Sequence, residues 1–191
     1  IPVGWDSHAN QTTLVIDPAW LTRVKQVVDW CRAAGLVVVI NNHGNTGWFD
    51  GNGFASYDSK INDKIKSYWT QIAQKLTDSD SKVIFCVGNE PNAKSQAATD
   101  VLMKYYQTFV TAVRGAGGSN NTNRWLVLSG TGSSNLDNTN DWMNTLPTDP
   151  TPGRLAIDVH FYDPFGFCLQ ETDESWGNYS YFWGTGYHTS D

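Results

Sequence analysis

Five polar residues stand directly after apolar runs, where a strand would hand a side chain to a loop. They are His43, Asn89 with Glu90, and His160 with Tyr162; Asn41 and Ser129 are weaker members of the same set. The clearest case is Val83 to Pro91, Val-Ile-Phe-Cys-Val-Gly-Asn-Glu-Pro. The run is short and rich in β-formers, as a strand buried on both faces would be. Pro91 cannot donate to a sheet ladder, so the strand must end at or before it. A carboxylate, Glu90, is thereby delivered at a strand's carboxyl end, where α/β folds gather ligands and catalytic groups.

Several chemistries compete for this set. His43, His160 and Glu90 are metal-ligand types, but the close spacing of a zinc-binding helix is missing. Ser129-Gly130-Thr131-Gly132-Ser133 lacks the Gly-x-Ser-x-Gly frame of a nucleophile elbow. No phosphate-cradling glycine loop stands between a strand and a helix. Cys31, Cys86 and Cys168 fit neither a metal spacing nor a disulfide framework, and the first two read as small core hydrophobes. A carboxylate flanked by an amide and aromatics suits acid–base work on a sugar.

The elements that would position these groups alternate. Ile1 to Trp5 reads as the end of a strand, followed by polar loop to Ile16. Asp17-Pro18 opens a helix as N-cap and first helical residue. Leu21, Val24, Val28 and Cys31 mark its apolar face, and Gly35 closes it. Leu36 to Ile40 reads as a buried strand. Ile61, Ile65, Trp69, Ile72 and Leu76 mark a second helix, and Val83 to Val87 a third strand. Leu102, Tyr105, Tyr106, Phe109 and Val113 mark a third helix, with 119–121 read as flexible loop. Trp125 to Leu128 is a fourth strand, a short helix is expected near Trp142 to Leu146, and Leu155 to Val159 is a fifth strand. Beyond Asp163 no element is legible. The alternation predicts right-handed βαβ units and a parallel sheet within one domain, residues 1–191.

Composition narrows the partners. The 191 residues include 13 basic and 19 acidic ones, a formal net charge of −6, which argues against nucleic acid. No apolar run is of membrane-spanning length, so no membrane partner is expected. Nine Trp suit surfaces that stack on flat ligands, although Trp also fills cores.

Four blocks carry a family resemblance. Asn89-Glu90-Pro91 closing a buried strand resembles the acid/base motif of glycoside hydrolase family 5, the cellulase family. Ile40-Asn41-Asn42-His43 resembles that family's preceding strand, Asp158 to Tyr162 followed by Pro164 its sixth, and Ile1 to Trp5 its second. The resemblance covers nearly the whole chain and implies an α/β fold, a partial (β/α)8 TIM barrel with about five of the eight βα units, second to sixth strands. It implies Glu90 as general acid/base and Asn89 on the sugar 2-hydroxyl. It places His43 on the sugar at the cleavage point, His160 beside the acid/base and Tyr162 near the nucleophile. The family retains anomeric configuration through a glycosyl-enzyme, with two carboxyl groups about 5 Å apart; no cofactor is implied.

The seventh strand, which carries the family's nucleophile, has no counterpart here. Glu171 and Glu174 follow no apolar run and are not promoted to that role. Gly44 stands where many relatives have a second His. The expectation is an internal piece of an endo-β-1,4-glucanase, inactive alone, with exposed sheet edges. Its substrate would be a polysaccharide, and an insoluble substrate implies a secreted parent. A non-catalytic glycan-binding module would instead use Trp5, Trp48, Phe165, Trp176 and Trp183 as platforms, with Trp5 and Trp48 also candidate substrate contacts in the enzyme. The same chemistry on mannan, xylan or xyloglucan is the third reading.

Overall fold

Strands β1 (Pro2–Val3), β2 (Val38–Asn42), β3 (Val83–Cys86), β4 (Leu126–Ser129) and β5 (Leu155–Asp158) form one sheet in sequential order, each parallel to the next. The computed structural model describes residues 1–44, 47–50 and 52–182. Between the strands run α1 (Pro18–Ala33), α2 (Ser59–Lys75), α3 (Gln96–Gly115) and the short helices α4 (Ser119–Asn123), α5 (Thr131–Ser134) and α6 (Leu136–Trp142). Parallel crossovers are right-handed, and an order without reversal puts every crossover on one side of the sheet. That is the singly wound arrangement of barrel folds, as distinct from the doubly wound kind.

The register shows which face is covered. Val38, Ile40, Val83, Phe85, Leu126 and Leu128 share one face and are at most 3% exposed. They pack with Val24 and Val28 of α1, Ile65, Trp69 and Ile72 of α2, and Leu102, Tyr106 and Phe109 of α3. Trp69 joins three elements, its ring 5.4 Å from Phe85 and 4.7 Å from Phe109 between centroids. Val39 on the other face is 39% exposed; Ile157, which pairs with Leu128 on the covered face, is 40% exposed because β5 is the edge strand of the sheet.

The helix signals act as the residue types dictate. Asp17 Oδ1 accepts from Ala19 N at 2.8 Å, with Pro18 at the first helical position. At the far end Gly35, φ +82, closes a Schellman motif through Leu36 N–Cys31 O and Gly35 N–Arg32 O bonds. That closure corrects the strand start: Leu36 and Val37 belong to the turn and are 55% and 60% exposed, so the strand begins at Val38.

The 119–121 stretch is also corrected, from flexible loop to helix α4. Asn121 is fully buried and its amide donates to Ala73 O and Gly117 O, both at 2.9 Å. Beside it Arg124, also fully buried, donates to the carbonyls of Leu76, Ser79, Asp80 and Val83 and to Asn121 Oδ1. Its guanidinium lies 4.4 Å from the Phe85 ring centroid. Burial lowers its pKa to about 10, still charged at neutral pH. One side chain thus satisfies the carboxyl end of α2 and the approach to β3.

The chain forms two compact units, residues 1–159 and 160–191. The second contains helix α7 (Phe165–Cys168), where no element was legible in the sequence. Gln170 Nε2 donates to Thr172 O at 2.8 Å and Gly177 O at 2.6 Å, and Ser180 N to Gly166 O at 2.8 Å.

Candidate active site

Glu90 stands four residues past the end of β3 with a left-handed backbone, φ +44. Such a conformation is uncommon outside glycine and costs on the order of 1–3 kcal/mol, so surrounding contacts must hold it. Asn89 and Glu90 are both partly exposed, between buried Gly88 and buried Pro91. The segment is held at both ends. Upstream, Gly88 O accepts from Asn41 Nδ2 at 2.9 Å and Ser129 Oγ at 2.6 Å. Downstream, Pro91 O accepts from Ser133 N and Ala93 O from Gly132 N, both at 2.9 Å, while Thr131 Oγ1 adds a 2.6 Å bond to Ala93 O.

The anchoring turn is itself unusual. Gly132, Ser133 and Ser134 all have positive φ, +59, +64 and +60, so α5 is a left-handed turn and not a regular helix. In this conformation successive amides point the same way, and two of them reach the loop after Glu90. Its sequence signal is the Gly- and Ser-rich run 129–134, which begins at the last residue of β4 and fits no nucleophile elbow.

His43 follows the end of β2, and its backbone N–H donates to Val3 O at 3.0 Å. Its ring is exposed. Because Asn41 pairs with Cys86, His43 and the Asn89-Glu90 pair leave the carboxyl ends of adjacent strands. Asp50, which sequence reasoning passed over, joins these two ends: Oδ2 accepts from Gly44 N at 3.0 Å, and the Asp50 backbone bridges Pro91.

The two candidate tryptophans differ from each other. Trp5 is 0% exposed, a core side chain that offers no face to a ligand, which corrects its assignment as a substrate contact. Its position beside β1 directs it into the helix-covered core with Val3 and Ile16. Trp48 is half-buried; Lys64 Nζ lies 4.9 Å from its ring centroid and Tyr68 meets it edge-on at 6.2 Å. Its ring is therefore partly committed to packing.

In the second unit His160 and Tyr162 are neighbours: Tyr162 Oη lies 3.4 Å from His160 Nδ1 and the rings meet at 87°. Phe165 and Trp176, 44% and 65% exposed, pack with centroids 5.6 Å apart. Trp183 lies outside the described residues. Among the described residues no three His, Cys, Asp or Glu side chains cluster as a metal site, and no helix is long and apolar enough to cross a membrane.

Beneath Asn89 and Glu90 lie buried polar groups, and the Asp158 carboxylate is near enough to act on two of them, Cys86 and Tyr106. Cys86 is a buried free thiol, its pKa pushed up to about 11 by burial. Burial likewise raises the Tyr106 phenol, which donates to Ser129 O at 2.6 Å.

Comparison with known proteins agrees with this frame. The family model for cellulases, glycosyl hydrolase family 5, matches residues 1–187. Endoglucanase 1 of Ruminococcus albus is 33% identical over 88% of this chain and 42% of its own length. Among solved structures, a family 5 xyloglucan-specific β-1,4-glucanase from a ruminal metagenomic library, in complex with XXLG, superposes with a TM-score of 0.83 at 37% identity. The match covers all of this chain and 53% of that one. A family 5 lichenase from Caldicellulosiruptor sp. F32, complexed with cellotetraose, superposes at 0.87 with 28% identity, over 97% of this chain and 53% of its own. The chain therefore spans about half the length of the relatives it matches. With its five sequential parallel strands and a family match along almost its whole length, the chain belongs to glycosyl hydrolase family 5, the cellulase family.

Proposed function

We propose that the whole protein carrying this chain is a retaining, endo-acting β-1,4-glucanase in which Glu90 is the general acid/base. The carrying observation is the strained Glu90 backbone at the carboxyl end of β3, fixed between the Gly88 and Pro91 anchors. Residues held in sparsely populated backbone conformations cluster at active sites, where fixed aim matters. Glu90 protonates the departing glycosidic oxygen in the first step and deprotonates water in the second. Asn89 takes the sugar 2-hydroxyl and His43 the sugar at the cleavage point. His160 is proposed to support the acid/base and Tyr162 the nucleophile, as the family resemblance implies.

The nucleophilic carboxylate is proposed to come from outside these 191 residues. Glu171 and Glu174 are exposed loop residues, and Glu174 is bridged to Gly177, unlike a carboxylate ending a strand. The 191-residue chain alone is accordingly proposed to be inactive, and the parent to be secreted, since its polymer cannot enter a cell. Xyloglucan is the second substrate reading, favoured by the 37% identity to a xyloglucan-specific enzyme.

The test is a panel of carboxymethyl cellulose, mixed-linkage glucan, xyloglucan, mannan and xylan with the whole protein. Hydrolysis of a soluble β-glucan should be internal, viscosity falling ahead of reducing ends, and Glu90→Gln should abolish it. Full activity in that variant would sink the assignment.

A further inference from the structure

Three side chains from three adjacent strands meet on one backbone oxygen, Gly88 O. Asn41 of β2 donates through Nδ2 at 2.9 Å, Ser129 of β4 through Oγ at 2.6 Å, and Cys86 of β3 places its Sγ at 3.4 Å. Asn41 also reaches Cys86 Sγ at 3.4 Å, and Cys86 Sγ and Ser129 Oγ are 3.7 Å apart. Ser129 is held from behind, its own carbonyl accepting the fully buried Tyr106 hydroxyl. Gly88 and Ser129 are buried, so these donors do not exchange freely with water.

This clamp controls the course of the backbone into Asn89. The Gly88 carbonyl belongs to the peptide plane that also carries the Asn89 N–H, and a peptide plane is rigid. Fixing that oxygen fixes the direction in which the chain enters Asn89 and Glu90. Only these two residues lie between Gly88 and the second anchor at Pro91 O, which is why Glu90 is forced to positive φ. Releasing the clamp would let Glu90 relax toward an ordinary backbone and swing its carboxyl off line.

We propose that Ser129 and Asn41 are positioning residues for the acid/base, acting through the Gly88 carbonyl to aim Glu90. This rests on the reading of Glu90 as the proton donor. Neither residue touches substrate; each sets the angle from which the proton is delivered. Cys86, with its longer and weaker sulfur contact, contributes little.

A leaving-group comparison on the whole protein tests it. A 2,4-dinitrophenolate departs without a proton, whereas a phenolate of ordinary basicity needs one from Glu90. The readout is kcat/KM on phenyl and 2,4-dinitrophenyl β-cellobioside, which reports the steps through bond cleavage. Ser129→Ala and Asn41→Ala should each lower the phenyl substrate about tenfold or more and the dinitrophenyl substrate by less than about twofold. Ser129→Thr, which keeps the donor, should restore the phenyl rate, and Cys86→Ala should change neither. If Ser129→Ala does not fold, Asn41→Ala carries the same expectation. Equal losses on both substrates, or no loss on either, overturn the proposal. Glu90→Gln runs alongside: if it lacks the leaving-group signature, the acid assignment itself has failed. If it shows the signature and the clamp variants do not, only the clamp has failed.

Discussion

The ring of Phe49 occupies the space that a β-carbon on Gly88 would need: such an atom would stand 2.0 Å from Phe49 Cε1 and 2.6 Å from Cδ1. Phe49 is fully buried and packs against Phe54 and Tyr106, at centroid distances of 5.7 and 6.4 Å, so it has little room to retreat. The loop after β2 is thereby seated on the residue that precedes Asn89. Gly88→Ala should cost about 1–3 kcal/mol by overpacking and lower turnover, because the displaced loop carries the Asp50 link to Pro91. A denaturation midpoint and kcat measured on the same preparation check it. An unchanged midpoint would show that the ring has another place to go.

Arg124 stitches four backbone carbonyls with no carboxylate among the partners of its side-chain hydrogen bonds. Arg124→Leu would leave those buried acceptors unmet, and each such group costs about 1–3 kcal/mol. A loss of at least about 3 kcal/mol is expected by chemical denaturation, short of the full sum because water and backbone shifts recover some bonds. Arg124→Lys should rescue only part, since an ammonium lacks the planar fork that reaches several carbonyls at once.

Much of this frame was legible in the residues. The periodicity of Ile61, Ile65, Trp69 and Ile72, the Asp17-Pro18 cap and the Val83 to Val87 run each produced the expected element, because each is governed by local pattern. The resemblance of four strand-end blocks supplied the family. What was not legible depends on contacts across the chain. Trp5 was expected at the substrate and is core, since exposure is decided by which neighbours close over a side chain. Residues 119–121 looked like loop because their helix is held by Asn121 and Arg124 reaching elements 48 residues away in sequence. The Gly88 clamp joins residues 41, 86 and 129, and no local pattern announces it.

Trp5 separates a packing role from a binding role. Trp5→Ala should cost about 3–5 kcal/mol of stability, as large-to-small core changes do. Trp5→Phe should cost less and leave KM for a soluble β-glucan within about twofold. A large rise in KM with unchanged stability would return Trp5 to the substrate site.

Arg114 and Asp149 form a buried bidentate pair, Nε–Oδ1 at 2.9 Å and Nη2–Oδ2 at 2.7 Å, with side chains 6% and 5% exposed. Burial pushes the Asp149 pKa up, but the Arg114 hydrogen bonds, the Thr151 N–H and the Arg114 charge together outweigh it and hold the carboxyl below its ordinary value. A depressed folded pKa gives stability that is whole above the unfolded value of about 3.9 and lost as pH falls through the folded one. Unfolding free energy followed from pH 6 downward should therefore fall more steeply in the unmodified protein than in Asp149→Asn. Parallel curves would remove Asp149 from the acid response.

The central claim, that Glu90 is the acid/base of a retaining glycosidase, is tested most directly by anion rescue. Glu90→Ala in the whole protein leaves a glycosyl-enzyme that water attacks slowly, because the base that would activate it is gone. With 2,4-dinitrophenyl β-cellobioside, added azide should restore turnover and yield β-cellobiosyl azide, the retained anomer. No rescue by azide, or an α-configured azide product, would contradict the role assigned to Glu90.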